Sequence, residues 1–288
     1  MDDFLISLSF RSFFPMDPKS RKGDKEMTFW EHLDELRGTL FRSLIAVMAC
    51  SVAAFAFKGI LFDHILLAPK SPDFITYRIL CRFGEWIRVP SLCIDPSSFD
   101  LINIKLAGQF LSHMNIAFVA GLIVAMPYLL WELWRFVRPG LTHKERRVSR
   151  GAVTVISLLF LTGVLFSYFI VVPLMVNFLG GYQVSGAVKN QIALTSYTSS
   201  LTMMTLVMGL LFELPVLVIF LTRVGILTPA VLKKYRKHTV VALVITAGII
   251  TPSPDIFSQL VVAVPLYALY ETSLVIAGRI HRKKQLAG

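Results

Sequence analysis

Glu31-His32-Leu33-Asp34-Glu35-Leu36-Arg37-Gly38-Thr39-Leu40 sets three carboxylates immediately before a long apolar run that begins at Ser43. Leu33, Leu36 and Leu40 recur at three- and four-residue spacing, which predicts a short amphipathic helix. Phe29 and Trp30 extend its apolar side and suit a membrane–water interface. The chain therefore enters a bilayer through an acidic collar, although its net charge is +11. Two explanations stand open. Carboxylates favour a helix N-terminus by about 0.3–1 kcal/mol each, or they form a docking site for a cationic partner.

Working outward, the 288 residues are 55% hydrophobic and 16% charged, with a mean hydropathy of +0.66. This composition predicts a polytopic membrane protein. No basic segment is interleaved with aromatics outside the membrane-flanking loops, so nucleic acid is a poor partner. Six apolar runs predict helices at about residues 40–61, 106–131, 153–178, 199–222, 239–250 and 259–277. The expected fold is one all-α integral membrane domain over residues 27–284. Residues 1–26 form a leader expected to be disordered, residues 285–288 a tail, and Met1, Met16 and Met27 are all compatible starts. Arg42 and Lys58 lie near the ends of the first span and are expected to snorkel.

The fifth run, Thr239–Ile250, makes a helix of about 18 Å against a bilayer core of about 30 Å. The hairpin turning at Thr251-Pro252-Ser253-Pro254-Asp255 is thus expected to cross a thinned bilayer. Of the 29 Lys and Arg residues, 22 fall on the face shared by both termini. The other face carries Lys58, Lys70, Arg78, Arg82, Arg88, Lys105 and Lys189. The positive-inside rule then places both termini in the cytoplasm. Outside, Phe62–Lys105 is expected to be folded, because Ile75–Leu80 and Trp86–Val89 keep apolar and aromatic content. Cys81 and Cys93 share that loop, where a bridge and two separate thiols are both compatible with the sequence. Cys50 lies in an apolar run and reads as packing.

No catalytic motif is present: there is no HExxH, GxSxG, Walker loop or CxxC, and the six histidines are scattered. A membrane enzyme is disfavoured accordingly. A small-solute transporter would show internal repeats, and residues 40–140 and 150–275 show none. The carboxylates expected within spans are Glu213 and Glu271. A charge at the membrane centre costs roughly 2.5–3.5 kcal/mol, so such groups face a partner, a cavity or water. Glu213 precedes Leu214-Pro215, and a hydrogen bond within the chain or to another subunit would serve it equally. Arg279 and His281 are the candidate neutralisers of Glu271. In the loop Glu132–Arg150, Glu145 stands among five cations between Arg138 and Arg150. An exposed ion pair with Arg146 or Arg147 would contribute about 0–1 kcal/mol.

Five segments together resemble the TatC family of the twin-arginine protein translocase. They are His32–Arg37, Leu67-Ala68-Pro69, Phe136–Leu141 with Lys144–Arg147, Phe212–Pro215, and Thr251–Gln259. They follow the family order across about Phe29 to Lys284. The resemblance implies a cup-shaped, six-span fold whose last two spans are short. It implies a cytoplasmic receptor for twin-arginine signal peptides in the bacterial inner membrane, exporting folded proteins on the proton-motive force without a cofactor. By position, Glu35 and Glu145 would bind the signal peptide, with Arg37 and Phe136 beside them. Two guanidiniums favour carboxylates in bidentate geometry, and surrounding cations help refuse ordinary basic segments. Glu213 would contact single-span subunits of the TatA/TatB type, in an assembly containing several copies of the chain. Pro69 and Asp255 would shape the outer side. The long leader, the Ser253-Pro254 pair and the large outer loop depart from the family pattern.

Overall fold

The computed structural model describes residues 29–86, 88, 99–137, 151–183, 185, 190–251 and 256–287. Helix α1 spans Phe29–Ala56, so the amphipathic stretch and the first span form one element. No proline interrupts these 28 residues, and a single interior glycine is tolerated at modest cost. A π-helical segment, Ile60–Leu66, and a 3-10 turn, Ala68–Lys70, follow. Then come α2 (Ile75–Trp86), β1 (Asp100–Ile102) and α3 (Gly108–Val137). Helix α4 (Ala152–Phe166) passes through a π-helical segment at Ser167–Val171 into α5 (Val172–Gly181). The chain continues through β2 (Gln191–Ala193), α6 (Leu194–Leu211), α7 (Leu214–Val224) and α8 (Pro229–Lys234). It closes with α9 (Arg236–Ile250) and α10 (Ile256–Ala287).

Among the described residues, five stretches are long and apolar enough to cross a membrane: His32–Ala56, Gly108–Val137, Ala152–Gly181, Leu194–Thr222 and Ser258–Ile280. The fifth predicted run lies in α9, whose 15 residues reach only about 22 Å. The last apolar stretch, Ser258–Ile280, has 23 residues, and its helix runs on to Ala287 because the charged Arg279–Ala287 extension contains neither Gly nor Pro to stop it. The fourth span is broken, α6 giving way to α7 at Phe212-Glu213, since Pro215 has no N–H to continue the ladder.

The all-helical expectation also needs correction at the outer end. Strands β1 and β2 pair in parallel, Asp100 with Gln191 and Ile102 with Ala193. Each leads into a long helix, so α3 and α6 start side by side. Pro173 leaves the Phe169 carbonyl without its usual intrahelical donor, and the Thr76 hydroxyl donates to it. Tyr168 and Tyr197 donate to the Ile65 and Leu66 carbonyls at 2.9 and 2.8 Å. Side-chain hydroxyls thus satisfy the backbone where helices are irregular.

Beneath this cap, Val172, Met204, Met208, Val262 and Leu266 form the core of the bundle. Helix α1 packs on α3 in antiparallel fashion, from His32 against Phe136 at one end to Phe55 against Phe110 at the other. At Gly121 a Cβ would fall 2.5 Å from the Ser51 backbone, so only glycine permits this approach. Most of the remaining α1 surface is apolar and open, including Leu40, Ile45 and Val52, as lipid contact requires.

A candidate receptor seam between the first two long helices

His32, Glu35, Thr39 and Arg42 recur at three- and four-residue spacing and share one face of α1. Across from them Tyr128, Glu132 and Phe136 recur every fourth residue along α3. At the outermost level the His32 ring stacks on Phe136, with centroids 4.2 Å apart and planes 18° from parallel. One turn inward lies Glu35, whose Oε2 is buried and has no hydrogen-bond partner among the described residues. Thr39 is buried below it. Deeper still, Arg42 Nε donates to Glu132 Oε1 at 3.1 Å, and the Tyr128 hydroxyl donates to the same oxygen at 3.0 Å.

Glu35 and Phe136, singled out from sequence, therefore meet at one seam. Arg37 does not join them: it is exposed, its guanidinium 5.8 Å from the Phe41 ring centroid. Glu145 lies outside the described residues, as do Asp255 and Cys93.

Sequence reasoning missed Glu132. A charge at that position reads as the start of a loop, which leaves Glu213 and Glu271 as the carboxylates expected in spans. Instead α3 continues to Val137, and Glu132 is 1% exposed within it. Arg42 is 43% exposed and turns into the seam, so it does more than snorkel to the interface. The signal available was two opposite charges at the same end of antiparallel spans, with Tyr128 one helical turn from Glu132.

Glu213 sits in a different setting. Its backbone bridges the break, its N–H bonding Leu210 O at 3.1 Å and its carbonyl accepting from Leu217 N at 3.0 Å. Its side chain faces an apolar groove of about 370 Å³ lined by Leu130, Trp134, Val137, Ile156, Leu217 and Phe220. Both carboxylate oxygens are buried, and neither has a hydrogen-bond partner among the described residues. Glu271, by contrast, is neutralised. Among the described side chains its ion-pair partner is Arg236, at 2.6 Å, because α9 folds back beside α10; the side chain of His281, the other candidate besides Arg279, lies outside the described residues. Arg236 also donates to the Tyr267 hydroxyl at 2.8 Å.

At the end of the bundle remote from this seam, Pro69 is buried within its 3-10 turn. The Tyr77 hydroxyl shares its proton between the carbonyls of Pro69, at 3.0 Å, and Pro173, at 3.1 Å. Burial pushes the Tyr77 hydroxyl up to about 12, so it stays a donor at physiological pH. Cys81 is held in a disulfide, whereas Cys50 is a free thiol.

Residues 31–265 match the family described as Sec-independent protein translocase protein (TatC). The chain belongs to the TatC family. It is 37% identical over 261 residues to TatC of Blattabacterium sp. subsp. Periplaneta americana (strain BPLAN), covering 90% of this chain and 98% of the relative. Against TatCy of Bacillus subtilis (strain 168) it is 34% identical over 260 residues, covering 90% and 92%. A crystal structure described as the twin arginine translocase receptor TatC superposes with a TM-score of 0.65 at 31% identity, covering 86% of this chain and 98% of that one. A second, in DDM, gives 0.68 at 30% identity, covering 86% and 99%. As a TatC-family chain it is a component of the Sec-independent twin-arginine translocase, which involves other Tat subunits, and not an enzyme.

Proposed function

We propose that this chain is the receptor subunit that binds twin-arginine signal peptides, with Glu35 and Glu145 as the carboxylates that take the two guanidiniums. One observation carries the reading. Glu35 offers a buried, unpartnered oxygen at the open end of a seam walled by the stacked His32 and Phe136 rings. A planar guanidinium suits that setting, since it can bond the carboxylate and stack on an adjacent ring. Arg37 flanks the mouth, and Pro69 and Asp255 shape the opposite end.

In this reading six spans place both termini in the cytoplasm of a bacterial inner membrane, with α9 and the start of α10 forming the last hairpin of a cup. Glu213, unpartnered in an apolar groove, receives a single-span subunit of the TatA/TatB type. The assembly holds several copies of the chain and moves folded cargo on the proton-motive force. Fluorescence anisotropy of a labelled twin-arginine peptide on the purified chain tests the receptor role. Binding should fall when both peptide arginines become lysines, and should also fall in Glu35→Gln and Glu145→Gln. Equal affinity for the arginine and lysine peptides would defeat the reading.

A further inference from the structure

The Arg42 guanidinium occupies an unusual place. Helical side chains tilt toward the N-terminus, which carries this one back over the preceding turn of α1. There its Nη2 approaches Thr39 Oγ1 at 3.4 Å, and Nη1 would lie 3.6 Å from a Cβ at Gly38. Because position 38 carries no side chain, the guanidinium can lie along the helix surface. Gly38 and Thr39 are the residues three and four positions after Glu35. Arg42 therefore stands on the face it shares with Glu35, two turns away, with its charged end already turned toward it.

One carboxylate holds this guanidinium, and a second, Glu35, lies two turns back along the same helix face. Glu132 holds it through Nε at 3.1 Å, and Tyr128 braces the same Glu132 oxygen at 3.0 Å. Glu35 is left with a buried oxygen that nothing among the described residues satisfies. A cation on the same helix face as an unpartnered carboxylate, in a partly desolvated seam, would be drawn to it unless held elsewhere.

The geometry points to Glu132 as a positioning residue that sequesters Arg42, so that Glu35 stays open for a guanidinium arriving from a signal peptide. The inference rests on the receptor reading of Glu35. Arg42 is then an internal competitor of the ligand, chemically identical to what Glu35 must recognise. Glu132 touches no peptide; it acts through Arg42.

The test measures affinity of the full-length chain for a labelled twin-arginine peptide in four forms: wild type, Glu35→Gln, Glu132→Gln, and Arg42→Gln/Glu132→Gln. Releasing Arg42 in Glu132→Gln is expected to weaken the peptide about tenfold, the scale of one close charge pair. Removing the competitor in the double variant is expected to restore wild-type affinity, a rescue that a merely structural role would not give. Wild-type affinity in Glu132→Gln, or a double variant as weak as the single, would overturn the proposal. Should Glu132→Gln not accumulate, Glu132→Asp loosens the same contact by one methylene. Its smaller loss should again vanish with Arg42→Gln, and persistence of the loss would overturn the proposal too. Undiminished binding in Glu35→Gln would instead remove the receptor reading itself, and this inference with it. Loss in Glu35→Gln without the rescue pattern would remove only the role of Glu132.

Discussion

Glu132 and Glu213 are both carboxylates on apolar helices, and they differ in what meets them. Glu132 holds Arg42 and Tyr128 through one oxygen, Oε1, across a seam between two helices that pack along their length, while its Oε2 is buried without a hydrogen-bond partner among the described residues. Glu213 has a helix break, an apolar groove and no polar partner among the described residues. A buried charge in low dielectric is costly unless paired. The first site carries an ion pair within the chain, so changing it alters the chain itself. The second has no ion pair among the described residues, which fits the proposed docking of another helix there.

The largest expected effect is on Glu213. Glu213→Ala should abolish export in cells while leaving twin-arginine peptide affinity unchanged. Equal loss of both would make Glu213 structural and collapse the contrast. Arg42→Leu comes next, since it leaves Glu132 buried with Tyr128 as its sole partner. A loss of about 3 kcal/mol is expected, read as an earlier thermal unfolding of the purified chain. An unchanged melting point would show that the pair contributes nothing.

Smaller effects sharpen the frame around both sites. Gly121→Leu drives a side chain into the Ser51 backbone and should destabilise the seam by about 1–3 kcal/mol. Tyr77→Phe, on the outer side and remote from either carboxylate, should cost about 1 kcal/mol with peptide affinity intact. The folded state raises the Tyr77 value from 10.0 to about 12. That hydroxyl's contribution is therefore fully present below pH 10 and lost as the pH rises toward 12, so the alkaline loss of stability should be smaller in Tyr77→Phe than in the wild type. Mass analysis before and after reduction, with Cys93→Ser, would identify the partner of Cys81; an oxidised Cys93→Ser chain would point away from Cys93.

What the sequence made legible was whatever local pattern controls. Leu106–Trp131 announces a span by its lack of charge, and Pro215 announces the break beside Glu213. The boundaries that failed were those set by distant partners. The end of α3 was placed before Glu132 because a charge there looks like an exit from the membrane, whereas Arg42, 90 residues earlier, keeps it inside. Near neighbours along the helix are the natural candidates to neutralise Glu271, but the hairpin brings Arg236 across to it. The two three-residue strands are too short to leave a periodicity, and their pairing joins segments about 90 residues apart. Glu35 stood out as part of an acidic stretch that is continuous in the chain, whereas its proposed role came from the resemblance to the TatC family and its Phe136 wall from a different helix, α3.

A double-mutant cycle between the chain and its ligand tests the central claim most directly. Peptide affinity would be measured for wild type and Glu35→Gln, each with the arginine pair and with its lysine replacement. If Glu35 reads a guanidinium, the two changes should couple strongly, the lysine replacement costing about tenfold less in Glu35→Gln than in wild type. Two losses that simply multiply would mean the carboxylate and the guanidinium do not meet.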